Sequence, residues 1–210
     1  MRRALFILGM ISLAAVWLGP LPQLARQAFW AHMTMHMGVV AVAAPLLALG
    51  VAGGRFDPVR KLPYLFAPIP ASIFELLIVW AWHAPALHHA ARHTIAGLLT
   101  EQSAFLFSGL LVWLSAFGAE SARAVNRQAA GIVGLLLTSM HMTLLGALLA
   151  LSPRPLFAHT DVSAAMTAIA DQQLGGAIMI LVGGVSYLAG GLWLVVCLLR
   201  DVALKPQEAA

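Results

Sequence analysis

The chain is divided into long stretches that lack Asp, Glu, Lys and Arg, and this spacing constrains its fold more than any short motif. Residues 4–25, 27–54, 102–119, 128–153 and 172–199 carry none of these charges, and residues 62–91 contain only Glu75. A helix needs roughly 20 mostly apolar residues to cross the hydrocarbon of a bilayer, so each stretch reads as a transmembrane helix. Six such helices are predicted, over about residues 4–20, 30–50, 68–84, 97–117, 128–151 and 173–199. Pro20, Pro85 and the turn Ser152-Pro153-Arg154-Pro155 act as stops, because proline cannot donate to the helical ladder. The predicted fold class is all-α: one integral membrane bundle over residues 1–200, without an interdomain linker, followed by a short solvated tail over residues 201–210.

Composition agrees with that reading. Hydrophobic residues make up 61% and charged residues 10%, whereas soluble domains hold roughly 45–50% and about 25%. A soluble enzyme, a disordered chain and a disulfide-stapled secreted domain are all excluded, the last by the single Cys197. The net charge of +4 does not imply nucleic acid, because the basic residues segregate by side. With the N-terminus and C-terminus cytoplasmic, the inner segments hold Arg2, Arg3, Arg55, Arg60, Lys61, Arg123, Arg127, Arg200 and Lys205. The outer segments hold only Arg26, Arg92 and Arg154, and nine against three follows the positive-inside rule. Residues 4–25 exceed the usual apolar core of a signal peptide and read as a retained helix; cleavage near Ser12-Leu13-Ala14 is the alternative.

In this orientation all eight histidines fall in the outer half or the outer loops. His141, His36, His32 and His83 line a descending funnel, while His88, His89, His93 and His159 form a solvated mouth. On the second helix His32, Met33, His36 and Met37 share an arc of about 140°, at about 100° per residue. On the fifth, Met140 and Met142 flank His141 and diverge by about 200°, so they cannot both face the same neighbour. An imidazole inside the bilayer is costly unless paired or liganded. Thioether with imidazole suits Cu(I), and zinc asks for thiolate, more imidazoles or a carboxylate. Cys197 lies near the opposite end of the last helix and is no ligand.

The remaining polar residues have plainer roles. Glu75 lies level with Ser108, Thr138 and Ser139, which suggests a polar layer or a single interhelical hydrogen bond. Asp171, followed by Gln172, reads first as the N-cap of the last helix and second as an acceptor that orients a histidine. Gly176, Gly183 and Gly190 recur every seven residues, with Gly184 and Gly191 beside them, as a surface for close helix packing. His-Glu-x-x-His, Gly-x-Ser-x-Gly, P-loop and Rossmann motifs are missing, which leaves conventional hydrolase and nucleotide chemistry without support. Two other classes stay open: a b-type haem or quinone protein with histidines from different helices, and a zinc hydrolase using His83, His89 or His93 with Glu101 or Asp171.

Several longer blocks go together: His32 to Met37, Ala44-Pro45-Leu46-Leu47-Ala48-Leu49-Gly50, Trp82-His83-Ala84-Pro85, Met140 to Ala147, Ser152 to Leu156 and Asp171 to Gly176. In order and spacing they resemble the CtaG-like, caa-type cytochrome c oxidase assembly factors, from about Trp30 to Leu199, with the first helix outside the matched blocks. The resemblance implies a multi-pass protein of the bacterial inner membrane that turns over no substrate. It implies that the protein helps copper reach cytochrome c oxidase, with the oxidase subunits, a periplasmic copper donor and membrane lipid as partners. On this reading His36 and Met37 bind Cu(I) together with His141 and Met140, while His32 and Met33 form an outer relay beside His83. Asp171, Gln172 and Glu75 support the site, Gly175 and Gly176 admit the last helix, and Arg154 meets a headgroup or partner.

Overall fold

The computed structural model describes residues 1–118, 125–157 and 166–204. Among them there are helices and no strand: α1 (Arg2–Leu18), α2 (Leu21–Gln27), α3 (Phe29–Met37), α4 (Ala44–Val51), α5 (Pro68–Trp82), α6 (Pro85–His93), α7 (Ile95–Phe117), α8 (Val125–Leu151) and α9 (Ala168–Leu204). A π-helical segment, Gly38–Ala43, joins α3 to α4. Proline stands at the first or second position of α2, α4, α5 and α6, where its missing N–H costs nothing and its fixed φ suits the first turn.

Four helical stretches are long and apolar enough to cross a membrane: Phe29–Val51, Ile95–Phe117, Val125–Leu151 and Ala168–Ala203. Two bent pairs, α1 with α2 (46°) and α5 with α6 (72°), bring the number to six if each pair counts as one span. The protein is therefore a multi-pass helical membrane protein with four to six candidate spans. Pro85, expected to end a helix, also begins the next one. Ala84 before it is extended, as a residue preceding proline tends to be, and the chain then restarts as α6. The far end differs too. α9 continues to Leu204, and Asp201, expected in a solvated tail, accepts a hydrogen bond from Gln128 Nε2 at 2.7 Å.

The stretch Phe29–Val51 lies at the centre, packed by α1, α7 and α9. Its π segment has a cause in the sequence. The Ala44 N–H reaches back to the Val39 carbonyl, and Pro45 has no N–H, so the carbonyls of Val40 and Ala41 lose their α-helical donors. Both are recovered from neighbouring helices: Trp113 Nε1 donates to Val40 O at 2.9 Å, and the Ser186 hydroxyl donates to Ala41 O at 2.7 Å. The bulge thereby fixes α7 and α9 on the central helix directly below His36 and Met37.

α9 packs chiefly along α8 and α3. A Cβ on Gly176 would stand 2.6 Å from the Gly146 carbonyl oxygen and the Ala150 nitrogen, so the two backbones touch there. The other two heptad glycines also meet protein, Gly183 in ordinary contact with Met37 and Tyr187 and Gly190 against the Trp113 ring, whereas Gly184 and Gly191 beside them face open space. Lower in the bundle the Tyr187 hydroxyl donates to Glu75 Oε1 at 3.2 Å, and the Thr138 hydroxyl donates to Ser72 at 2.8 Å. Glu75 thus takes part in an interhelical hydrogen bond across α5 and α9, whereas Ser108 bonds back to its own helix at Phe105 O.

Candidate metal centre

The site begins with the placement of α3. Asp171, expected to cap the last helix, lies inside the first turn of α9 and accepts the backbone N–H groups of Phe29 at 2.7 Å and Trp30 at 2.8 Å. It is an N-cap, though of α3, from 142 residues away, and it satisfies two of the donors that a helix start leaves open. Among the described residues Gln172 likewise bonds no histidine. Its amide donates to Leu149 O and its carbonyl accepts from Leu156 N, which ties the end of α8 to the turn after it. Glu75 bonds Tyr187, as described above. The three residues expected to support the site therefore hold helices in register and leave the imidazole rings to other groups.

From the capped helix His32 and His36, four residues apart, project from one face. The ring of His32 lies 4.7 Å from that of His88 and 6.0 Å from that of His83, and the ring of His36 lies 5.3 Å from that of His83. His83 comes from the end of α5. Its Nδ1 donates to the Val79 carbonyl at 2.7 Å, so Nε2 of the neutral ring carries the lone pair. That nitrogen faces Met33 Sδ at 3.4 Å. A thioether has no proton to give, so two lone-pair donors point into the same space from two helices.

α6 contributes His88 and α7 contributes Glu101. The ligand atoms of His32, His88 and Glu101 all lie within 4.8 Å of one another, and all three residues are buried. His32 Nε2 stands 3.8 Å from Glu101 Oε1, while Gln102 donates to the other carboxylate oxygen at 3.2 Å and is itself held by Trp17 Nε1. Aromatic rings close the site on two sides. Phe105 lies 4.0 Å from the His36 ring, and Phe157, stacked on Phe29, lies 4.4 Å from the His88 ring.

The residues present fit a metal ion. Both ring nitrogens of His36 and both of His141 are buried and have no hydrogen-bond partner among the described residues. His141 on α8 is also close enough to act electrostatically on His36, as are His83 and His32. Buried imidazoles left in this condition are costly, and a metal taken up by the lone pairs would offset part of that cost.

The sequence profile of the cytochrome c oxidase caa3 assembly factors (Caa3_CtaG) matches residues 1–201. The chain belongs to this family. The match includes α1, which the resemblance read from residues had left outside. No curated protein and no solved structure matches the chain. As a family member the protein takes part in cytochrome c oxidase assembly and so associates with that oxidase.

Against this assembly factor's structure, the predicted ligands separate. His32, Met33, His36 and His83 come together. Met140 does not: it is 60% exposed on the outer surface of α8, and Met142, on the opposite side of His141, is the buried methionine of that pair. Met37 is buried but turns to α9, 3.7 Å from where a Gly183 Cβ would stand, about 100° around the helix from His36. His88, predicted as part of a solvated mouth, is only 3% exposed and belongs to the cluster. His89 and His93 are exposed, their rings tilted at 37° with centroids 4.1 Å apart, and His159 lies outside the described residues. Glu101, considered only with His83, His89 or His93, instead joins His32 and His88.

Both missed residues had a signal. After Pro85 the sequence runs nine residues without a break, and His88 and Ala91, three apart, are the buried pair of that helix. Glu101 is the only carboxylate in the fourth predicted span.

Proposed function

We propose that this assembly factor binds Cu(I) transiently in the buried space between Met33, His83 and His36, and releases it toward cytochrome c oxidase. The observation that carries the reading is the approach of His83 Nε2 to Met33 Sδ at 3.4 Å, with the other ring nitrogen committed to Val79 O. These are soft or borderline neutral donors, which hold Cu(I) without thiolate and give it up by ligand exchange to a stronger site. The copper is cargo, and the chain turns over no substrate.

Each residue has a separate task. Val79 O fixes the tautomer of His83, and Asp171 fixes the helix that carries Met33 and His36. His36, unpartnered at both nitrogens among the described residues, supplies a further ligand, and His141 on α8 lies within electrostatic range of it. Phe105 and Phe29 exclude water, which favours the monovalent ion held by neutral donors. The nine-to-three division of basic residues supports an orientation with this site on the periplasmic side of a bacterial inner membrane. A b-type haem is the weaker reading, because the rings of His32, His36, His83 and His88 pack edge to face on one another, with Phe105 4.0 Å from His36, where a porphyrin would have to lie.

Competition with a Cu(I) chelator on the purified protein tests the proposal. Met33→Leu is expected to weaken Cu(I) binding by about tenfold or more, whereas Met140→Leu leaves it unchanged. Equal affinity in wild type and Met33→Leu would remove the basis for assigning copper to this space.

A further inference from the structure

Beside the soft site lies a second set of donors of different chemistry. His32 from α3, His88 from α6 and Glu101 from α7 offer two imidazole nitrogens and one carboxylate oxygen within 4.8 Å of one another, with no sulfur among them. We propose that this triad binds one divalent transition ion of the zinc class, separately from Cu(I).

The burial of Glu101 is the first reason. Its side chain is fully buried in an apolar helix, and its Oε1 has no hydrogen-bond donor. Among the described residues, the group able to carry positive charge that approaches it is His32 Nε2, at 3.8 Å, beyond hydrogen-bond distance. A carboxylate at such a place needs a counter-charge, and intramembrane acidic residues mark ion sites by default. A divalent ion on Oε1 supplies that charge and draws on the two imidazoles at the same time.

The second reason is the support around the carboxylate. Gln102 Nε2 donates to Oε2, and Gln102 Oε1 accepts from Trp17 Nε1, so a chain from α1 turns the carboxylate and leaves Oε1 directed at the histidines. Metal ligands are commonly oriented by such outer partners. On the opposite side Phe157 and Phe29 cover the His88 ring. Two imidazoles and a carboxylate are an established zinc donor set, with a fourth position left for water or another ligand.

The third reason concerns the helix that the ion would hold. α6 is short, joins α5 at a sharp bend and rests mainly on α7. An ion shared by His88, Glu101 and His32 links α6 to α7 and α3, and so fixes α6 beside the Cu(I) space. His32 stands between the two sites, its ring 6.0 Å from that of His83. The inference is independent of the Cu(I) reading, since it uses no sulfur ligand and not His83 or His36.

Co(II) titration of the chelator-treated protein in detergent, followed by Zn(II) displacement, tests it. Wild type is expected to bind one Co(II) per chain with visible ligand-field bands, and Zn(II) should abolish them. Glu101→Gln and His88→Asn should each weaken Co(II) binding by about tenfold or more while keeping wild-type helicity; Met33→Leu should leave it unchanged. Wild type that takes up neither Co(II) nor Zn(II) would overturn the proposal, as would unaltered Co(II) binding in Glu101→Gln. Loss of Co(II) in Met33→Leu would show one shared site in place of two and would overturn the separation. Chelator competition for Cu(I) on the same samples reports on the soft site by itself, so the two readings fail independently.

Discussion

The central span Phe29–Val51 and the last span Ala168–Ala203 have almost the same mean hydropathy, 1.8 and 2.0, but 61% of the first one's apolar window is buried in protein against 17% of the other's. The first is surrounded by helices, carries His32, Met33, His36 and Met37, and bends through a π segment. The second presents Leu181, Val185, Leu188, Leu192 and Trp193 outward, where lipid is the solvent. Its contribution is mechanical: Asp171 and Gln172 brace the end that carries the candidate metal centre, Gly176 touches α8, and Ser186 supports the bulge. Hydropathy reports how well a helix suits the bilayer. It does not report whether lipid or protein surrounds it, and the candidate ligands lie where lipid is excluded.

The largest expected effect comes from forcing the last span off its neighbour. Gly176→Leu puts a side chain into backbone atoms of Gly146 and Ala150, which cannot move aside as a flexible side chain would. The destabilisation should reach or exceed the ~3 kcal/mol upper end usual for overpacking, read as loss of the protein from the membrane fraction and a lowered unfolding temperature in detergent. Asp171→Ala should cost less, about 2 kcal/mol, as the loss of an N-cap that serves two N–H groups. It should also weaken Cu(I) binding without removing any ligand, and Asp171→Asn should restore part of both. Gly184→Leu, at a position open to lipid, should change stability and membrane abundance by less than about 0.5 kcal/mol. Equal damage from Gly176→Leu and Gly184→Leu would erase the distinction between a packed and a lipid-facing side of α9.

Much of the fold was legible because each apolar stretch has a length set by the bilayer. Four of the predicted helices correspond to whole candidate spans, and the other two to the first helix of each bent pair. Bends were harder to see, since Pro20 and Pro85 were read as ends when Pro20 caps and Pro85 begins a second helix. The π segment was not legible: it depends on Trp113 and Ser186 being available to take the carbonyls that Pro45 releases.

In the site, the i, i+4 pair His32 and His36 could be read directly from helical periodicity. Partners from other helices could not. Met140 and Met142 are equivalent by spacing, and only the packing of α8 against α9 decides that Met142 is inside. His88 was assigned to a loop because α6 was not foreseen. Asp171 was identified as a capping residue, but sequence adjacency suggested the wrong helix, since a cap can serve any helix start brought within reach of it.

The central claim is that the buried face of Phe29–Val51 holds copper for the oxidase, and the most direct test is the copper content of the assembled oxidase in strains carrying single variants. With copper per oxidase normalised to the membrane abundance of the assembly factor, Met33→Leu and His36→Leu should each lower copper loading sharply at normal abundance. Met140→Leu, on the lipid-facing side of α8, should match wild type. Full copper loading with Met33→Leu and His36→Leu combined in one inserted protein would contradict the account.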